Sequence, residues 1–193
     1  MAKPITMKKL AVGLLLFFTL LNTAAQETFV REPSATRYIK DLYQYVREKI
    51  NRNQYYVNEF KINSSNLKWA DEQHFQTFTR HFYSFVGDDS PVLRLVMLTT
   101  KVGDKHYYSE FAYDNDGSLV YAYEKQNDTL TYAYREIHVY LDRDLCLNLI
   151  LDQEVIDVKN TAPYTDKIKI LTNSGKYHAQ RFAKDMQGIG FGK

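Results

Sequence analysis

Between Pro33-Ser34 and Asn51-Arg52-Asn53 the apolar positions recur at three- and four-residue steps, through Ile39, Leu42, Tyr43, Val46 and Ile50. Arg37, Lys40, Asp41, Gln44, Arg47 and Glu48 fill the other faces. That period predicts an amphipathic helix, closed where polar turn-formers cluster. The period then changes. Tyr55 to Ile62 reads as a strand, followed by a polar link, Asn63-Ser64-Ser65-Asn66. Phe75 to Val86 fits two templates. Phe75, Phe78, Phe82 and Phe85 suit a helical stripe, whereas Thr77, Thr79 and the density of aromatic residues favour a strand, the reading adopted. Gly87-Asp88-Asp89-Ser90-Pro91 breaks the chain next.

From Val92 onward, strand-length segments alternate with turn signals. Val92 to Lys101, Lys105 to Tyr113, Ser118 to Lys125, Thr129 to Leu141 and Leu145 to Leu151 are separated by Val102-Gly103-Asp104, Asp114-Asn115-Asp116-Gly117, Gln126-Asn127-Asp128 and Asp142-Arg143-Asp144. This is the signature of an antiparallel meander, with Gly117 expected in a left-handed backbone conformation. Pro163 to Met186 reads as a short element, an interruption at Asn173-Ser174-Gly175 and a closing helix. The expected fold is therefore α+β: an N-terminal helix, an antiparallel β-meander of five to seven strands, and a C-terminal helix. Such helices are expected to cover one sheet face and leave the other wetter.

Ahead of the first helix the pattern is different again. Lys8 and Lys9 precede an uncharged run from Leu10 to Leu21, and Thr23-Ala24-Ala25 places small residues before Gln26. That layout is a secretory signal peptide, and its apolar run is too short for the ~20 residues of a membrane-spanning helix. The expected organisation is a signal peptide over 1–25, a single domain over 26–187 and a loose tail with Gly188, Gly190 and Gly192 over 188–193. The expected location is periplasmic or secreted.

Export alters the charge. Removing Lys3, Lys8 and Lys9 with the leader takes 25 basic residues to 22 against 23 acidic ones, a net charge of −1. A near-neutral chain without a dense basic run lacks the electrostatic footprint of a nucleic-acid binder. Cys146 is the single cysteine, so no internal disulfide forms, and the segment Leu145-Cys146-Leu147 reads it as a small buried hydrophobe.

Candidate chemistry is sparse. His74, His81, His106, His138 and His178 show neither an i,i+4 pair nor the His-Glu-x-x-His spacing of a zinc site. Asp114 to Gly117 departs from a calcium loop, whose first and last ligand positions would be Ala112 and Tyr123. No Gly-x-Ser-x-Gly elbow is present. Glu110, Glu124 and Glu136 could supply a carboxylate pair for glycoside hydrolysis, but they are equally the polar positions of alternating strands. No metal or cofactor is expected. Asn63-Ser64-Ser65 and Asn127-Asp128-Thr129 fit the N-glycosylation sequon. Asp128-Thr129-Leu130 also resembles the acceptor of periplasmic O-glycosylation in Bacteroidetes, which makes Thr129 a candidate modification site.

Tyrosine is the outlier, with 16 copies. Its amphipathic ring and β propensity suit a sheet with a half-wet face. The stretch from Tyr107 to Glu124, a Tyr-rich strand, an Asp/Asn-Gly turn and a second aromatic strand, resembles a pattern in small exported proteins of Bacteroidetes-type bacteria. Its Tyr113-Asp114-x-x-Gly117-x-Leu119 core is similar to that of tyrosine-aspartate repeat proteins, in one copy. The resemblance spans about residues 75–150 and implies a meander and an exported location, with no catalytic residues. If Tyr113 pairs near Leu119 and strict alternation holds, Phe111, Tyr113, Tyr121, Tyr123, Tyr132 and Tyr134 share one face. The expected function is an exported, non-catalytic protein that binds a glycan or a protein partner, with that face as the candidate ligand site. The alternative is a hydrolase acting on glycan or cell-wall material. A carrier for an apolar ligand is a third possibility and would need a cavity between sheet and helix.

Overall fold

The computed structural model describes residues 34–69, 74–87, 90–127 and 135–190. The expected signal peptide, Tyr132, Tyr134, Thr129 and the last three residues lie outside them. Among the described residues the chain forms helix α1 (Ser34–Asn51), eight strands, and helix α2 (Thr165–Gly188). The strands are β1 (Tyr56–Ile62), β2 (Phe75–Val86), β3 (Ser90–Val102), β4 (Lys105–Tyr113), β5 (Leu119–Gln126), β6 (Glu136–Asp142), β7 (Leu145–Leu151) and β8 (Glu154–Ile156). They form one antiparallel sheet in chain order, β1 to β8. The α+β meander is as expected, with one strand more than the sequence pattern indicated. The addition, β8, is three residues long, too short to display a period. None of the described helices is long and apolar enough to cross a membrane.

The helices pack on opposite faces, not on one. Ile39 and Val46 of α1 join a cluster with Phe82, Leu95, Met97, Ala112, Val120, Tyr121 and Tyr140. Leu171, Phe182 and Met186 of α2 join the other, with Val96, Phe111, Tyr113, Leu119, Ala122, Val139 and Leu149. Two-sided cover explains the unbroken apolar stretch Leu95-Val96-Met97 of β3, whose successive side chains enter different cores. Cover is nevertheless incomplete by simple geometry. Eight strands span ~34 Å at the spacing of paired strands. A helix is only ~10 Å wide, and 18 residues reach ~27 Å. Helix α1 by itself therefore covers only part of its face.

Helix α2 runs through Asn173-Ser174-Gly175 without a break. Gly175 lies on its buried stripe with Leu171, His178, Phe182 and Met186. A Cβ there would meet Leu119 Cδ2 at 2.7 Å and Phe111 Cδ1 at 3.1 Å. The Tyr113 hydroxyl donates to the Gly175 carbonyl oxygen at 2.7 Å. The glycine permits close approach of helix and sheet. Gly188 is the last residue of the helix.

Candidate ligand-binding face

The β4–β5 turn forms as its residues dictate. Asp114 Oδ1 accepts from the backbone N–H of Asp116 and of Ser118, both at 2.9 Å, and Gly117 takes φ +79°. The carboxylate is thus occupied by its own turn. Tyr113 opposes Leu119, as expected. Alternation does not survive beyond that pair, because Ala112 opposes Tyr121 and Val120 is left over as a bulge. The single-face arrangement of aromatic residues is corrected accordingly. Phe111 and Tyr113 enter the α2 core, while Tyr121 and Tyr123 turn to the α1 side. Phe111, Tyr113 and Tyr121 are buried, and Tyr123 alone of these four keeps a partly exposed ring.

The α1 side brings other groups together. Cα pairing places Arg80, Met97, Glu110, Tyr123 and His138 in one row across β2 to β6. The next row toward the strand ends holds Phe78, Thr99, Tyr108, Lys125 and Glu136. Tyr43 and Arg47, one turn apart on α1, reach down onto this surface. The centre is Glu110, a carboxylate only 2% exposed. Tyr43 donates to its Oε2 at 2.6 Å, Arg47 to its Oε1 at 2.9 Å, and the Tyr108 hydroxyl also donates to Oε1. Three donors on one buried acceptor fix both tyrosine rings in place. Burial and the neighbouring Glu110 charge push the Tyr43 and Tyr108 phenols well above their ordinary values, so both remain donors at any physiological pH.

Beside this centre lies an aromatic strip. Tyr108 and Tyr123 meet edge to face at 6.2 Å, and Tyr123 and His138 lie 4.8 Å apart. Burial holds His138 below its usual value against the opposite pull of Glu136. The Tyr121 hydroxyl and His138 Nδ1 share a hydrogen bond at 2.8 Å, which orients the imidazole. Burial and Glu136 push Tyr123 up to about 12. Lys125 pairs with Glu136 at 2.6 Å at the open margin. Tyr108, Tyr123, His138 and Glu136 are all half-buried, so the strip carries partly exposed rings and polar groups together.

The three glutamates do not converge. Glu124 points to the other face, paired with Lys167 of α2. Glu110 is saturated by donors. Cys146 is half-buried, its Sγ 3.5 Å from the Asn148 carbonyl oxygen, and burial raises its pKa, the setting of an inert thiol. Asn63 spends its amide on the carbonyls of Leu67 and Phe75, so that sequon serves the turn. No group of three or more His, Cys, Asp or Glu side chains among the described residues could hold a metal.

The clefts lie elsewhere. Two of about 320 Å³ flank the Gly117 turn against α2, one lined by Pro91, Leu93, Phe182 and Met186, the other by Arg143, Asp144, Lys176 and Gln180. Among its described lining residues the first carries one carboxylate, Asp116, and no Lys, Arg or His.

The α2 core contains a pair that spacing could not reveal. His81 of β2 and His178 of α2, 97 positions apart, meet edge to face at 5.6 Å. Neither ring nitrogen of His81 has a hydrogen-bond partner. Burial lowers each to about 4, aided by the other imidazole in the case of His81 and by the Arg181 charge in both.

Set against family models, curated proteins and solved structures, the chain matches none. The reading therefore rests on its own chemistry.

Proposed function

We propose that this is an exported, non-catalytic binding protein that takes up a glycan on the α1 face of its sheet. The observation that carries the reading is the half-exposed strip of Tyr108, Tyr123 and His138 held beside a buried, fully donated Glu110. Pre-positioned aromatic faces suit the apolar C–H faces of sugar rings, and nearby carboxylate, ammonium and imidazole groups suit their hydroxyls. The strip also narrows the Tyr-rich surface expected from sequence: Tyr123 stays in it, joined by Tyr43, Tyr108 and His138. Export is supported by the leader-like run from Lys8 to Ala25. Binding is favoured over hydrolysis because a glycosidase needs a carboxyl group free to give up a proton, and Glu110 is surrounded by donors.

The test is titration calorimetry against a panel of soluble oligosaccharides and cell-wall fragments. Tyr123→Ala and Tyr108→Ala should each weaken binding by tenfold or more while circular dichroism stays unchanged. New reducing ends accumulating with the wild-type chain and not with Glu136→Gln would transfer the surface to the hydrolase reading.

A further inference from the structure

The two edges of the sheet are unlike. The β8 edge is three residues long and passes directly into 3-10 turns at Val158–Asn160 and Ala162–Tyr164. The β1 edge is seven residues, Tyr-Val-Asn-Glu-Phe-Lys-Ile, without a proline, and among the described residues it pairs only with β2. It is also open: Tyr56, Val57 and Ile62 are 60%, 46% and 43% exposed. An unpaired edge of this length offers a free row of backbone donors and acceptors, which most proteins cover or interrupt.

We infer that β1 pairs antiparallel with β1 of a second copy of this chain, joining two sheets across a two-fold axis at Phe60. The side chains select that occupant and that register. A two-fold axis normal to the sheet keeps each face continuous, so paired residue numbers must share parity. Centring on Glu59 would set Glu59 against itself, and centring on Lys61 would oppose two lysines. Centring on Phe60 places Glu59 of each copy directly opposite Lys61 of the other, twice over. Glu59 and Lys61 lie on the same face, opposite Arg80 and Phe78 of β2. Glu59 has no ion-pair partner among the described residues, and Lys61 lies 5.2 Å from the Phe78 ring centre. Asn58 then opposes Ile62, and the two Phe60 rings meet on the α2 side, where Arg181 already stacks on Phe60 at 4.8 Å. Opposite charges directly across a ladder stabilise it and like charges oppose it.

Sedimentation equilibrium of the full chain over a range of concentrations tests the pairing. The wild type should associate reversibly to a dimer. Glu59→Lys and Lys61→Glu should each weaken association by about tenfold, since both facing pairs become like-charged. The double variant E59K/K61E should recover it. An equimolar mixture of the two single variants should form a heterodimer, because every facing pair is then opposite in sign. A wild-type chain that stays monomeric, or a mixture that fails to associate while both variants keep the native circular dichroism, overturns the inference and leaves Glu59 and Lys61 as charges that keep the edge single.

Discussion

At the scale of single residues, the most consequential is Glu110. Its buried carboxylate accepts from Tyr43, Tyr108 and Arg47 at once. Glu110→Ala strands two hydroxyls and a guanidinium. Arg47 is 36% exposed and can rehydrate in part, so the loss should be ~2–3 kcal/mol in urea denaturation, below that of a fully buried pair. Gly117 is the converse case. Its φ of +79° is a backbone demand, and no atom lies within 4 Å of where a Cβ would sit. Gly117→Val should thus destabilise by ~1–3 kcal/mol through backbone strain alone, and Gly117→Asn by clearly less. Equal stabilities for the two variants would contradict that assignment.

At the scale of elements, the bulges decide where side chains go. Among the described residues, Val57, Phe82, Leu95, Ala112, Tyr121, Tyr140 and Asn148 form one row across seven strands. Immediately beyond it, Arg94, Val120 and Leu147 are each left unpaired. Three aligned bulges bend the sheet along a line and shift each affected strand by one residue. Here the legibility of the sequence ends. Strand positions follow from local periodicity and turn chemistry, so β4 and β7 begin and end where the pattern places them. Face assignment beyond a bulge does not follow, because Val120 carries no turn-forming or glycine signature. Phe111 and Tyr121 therefore part company despite a correct Tyr113–Leu119 pairing. The Glu110 centre was hidden for a related reason: Tyr43 and Arg47 sit on a helix some 60 residues away from it. Gly175 was legible as a glycine but ambiguous in purpose, since a helix break and a close approach leave the same letter. Gly175→Ala should cost ~1–3 kcal/mol by overpacking against Leu119, with partial recovery in Gly175→Ala/Leu119→Ala.

The docking of α2 also carries a pH dependence. His81 and His178 are held near 4 in the fold and titrate near 6.5 in an unfolded chain. Between those values the unfolded state binds more protons, so stability falls as pH drops from about 6.5 to about 4 and is unaffected by this pair above it. Each imidazole contributes up to ~3 kcal/mol of that loss. Acid titration followed by near-ultraviolet circular dichroism should show unfolding in this window. His81→Leu/His178→Leu should move the midpoint to lower pH, and an unchanged midpoint would contradict the buried-neutral reading.

At the scale of the molecule, two helices cover opposite faces of a wide sheet and leave them unlike. The α2 face is closed by a 24-residue helix seated on Gly175 and tied by Tyr113, and it has the character of a core. The α1 face is spanned by a shorter helix and keeps a strip of rings beside it. The central claim is that ligand recognition belongs to this second face. Nuclear magnetic resonance of the aromatic ring and methionine methyl protons, during titration with the tightest-binding oligosaccharide of the panel, tests it most directly. The account predicts saturable shifts at Tyr108, Tyr123 and His138, with none at Phe182 or Met186 on the α2 side and saturation at about tenfold or more higher ligand in Tyr123→Ala. Shifts centred on Phe182 and Met186, or no saturable response to any oligosaccharide, would contradict it.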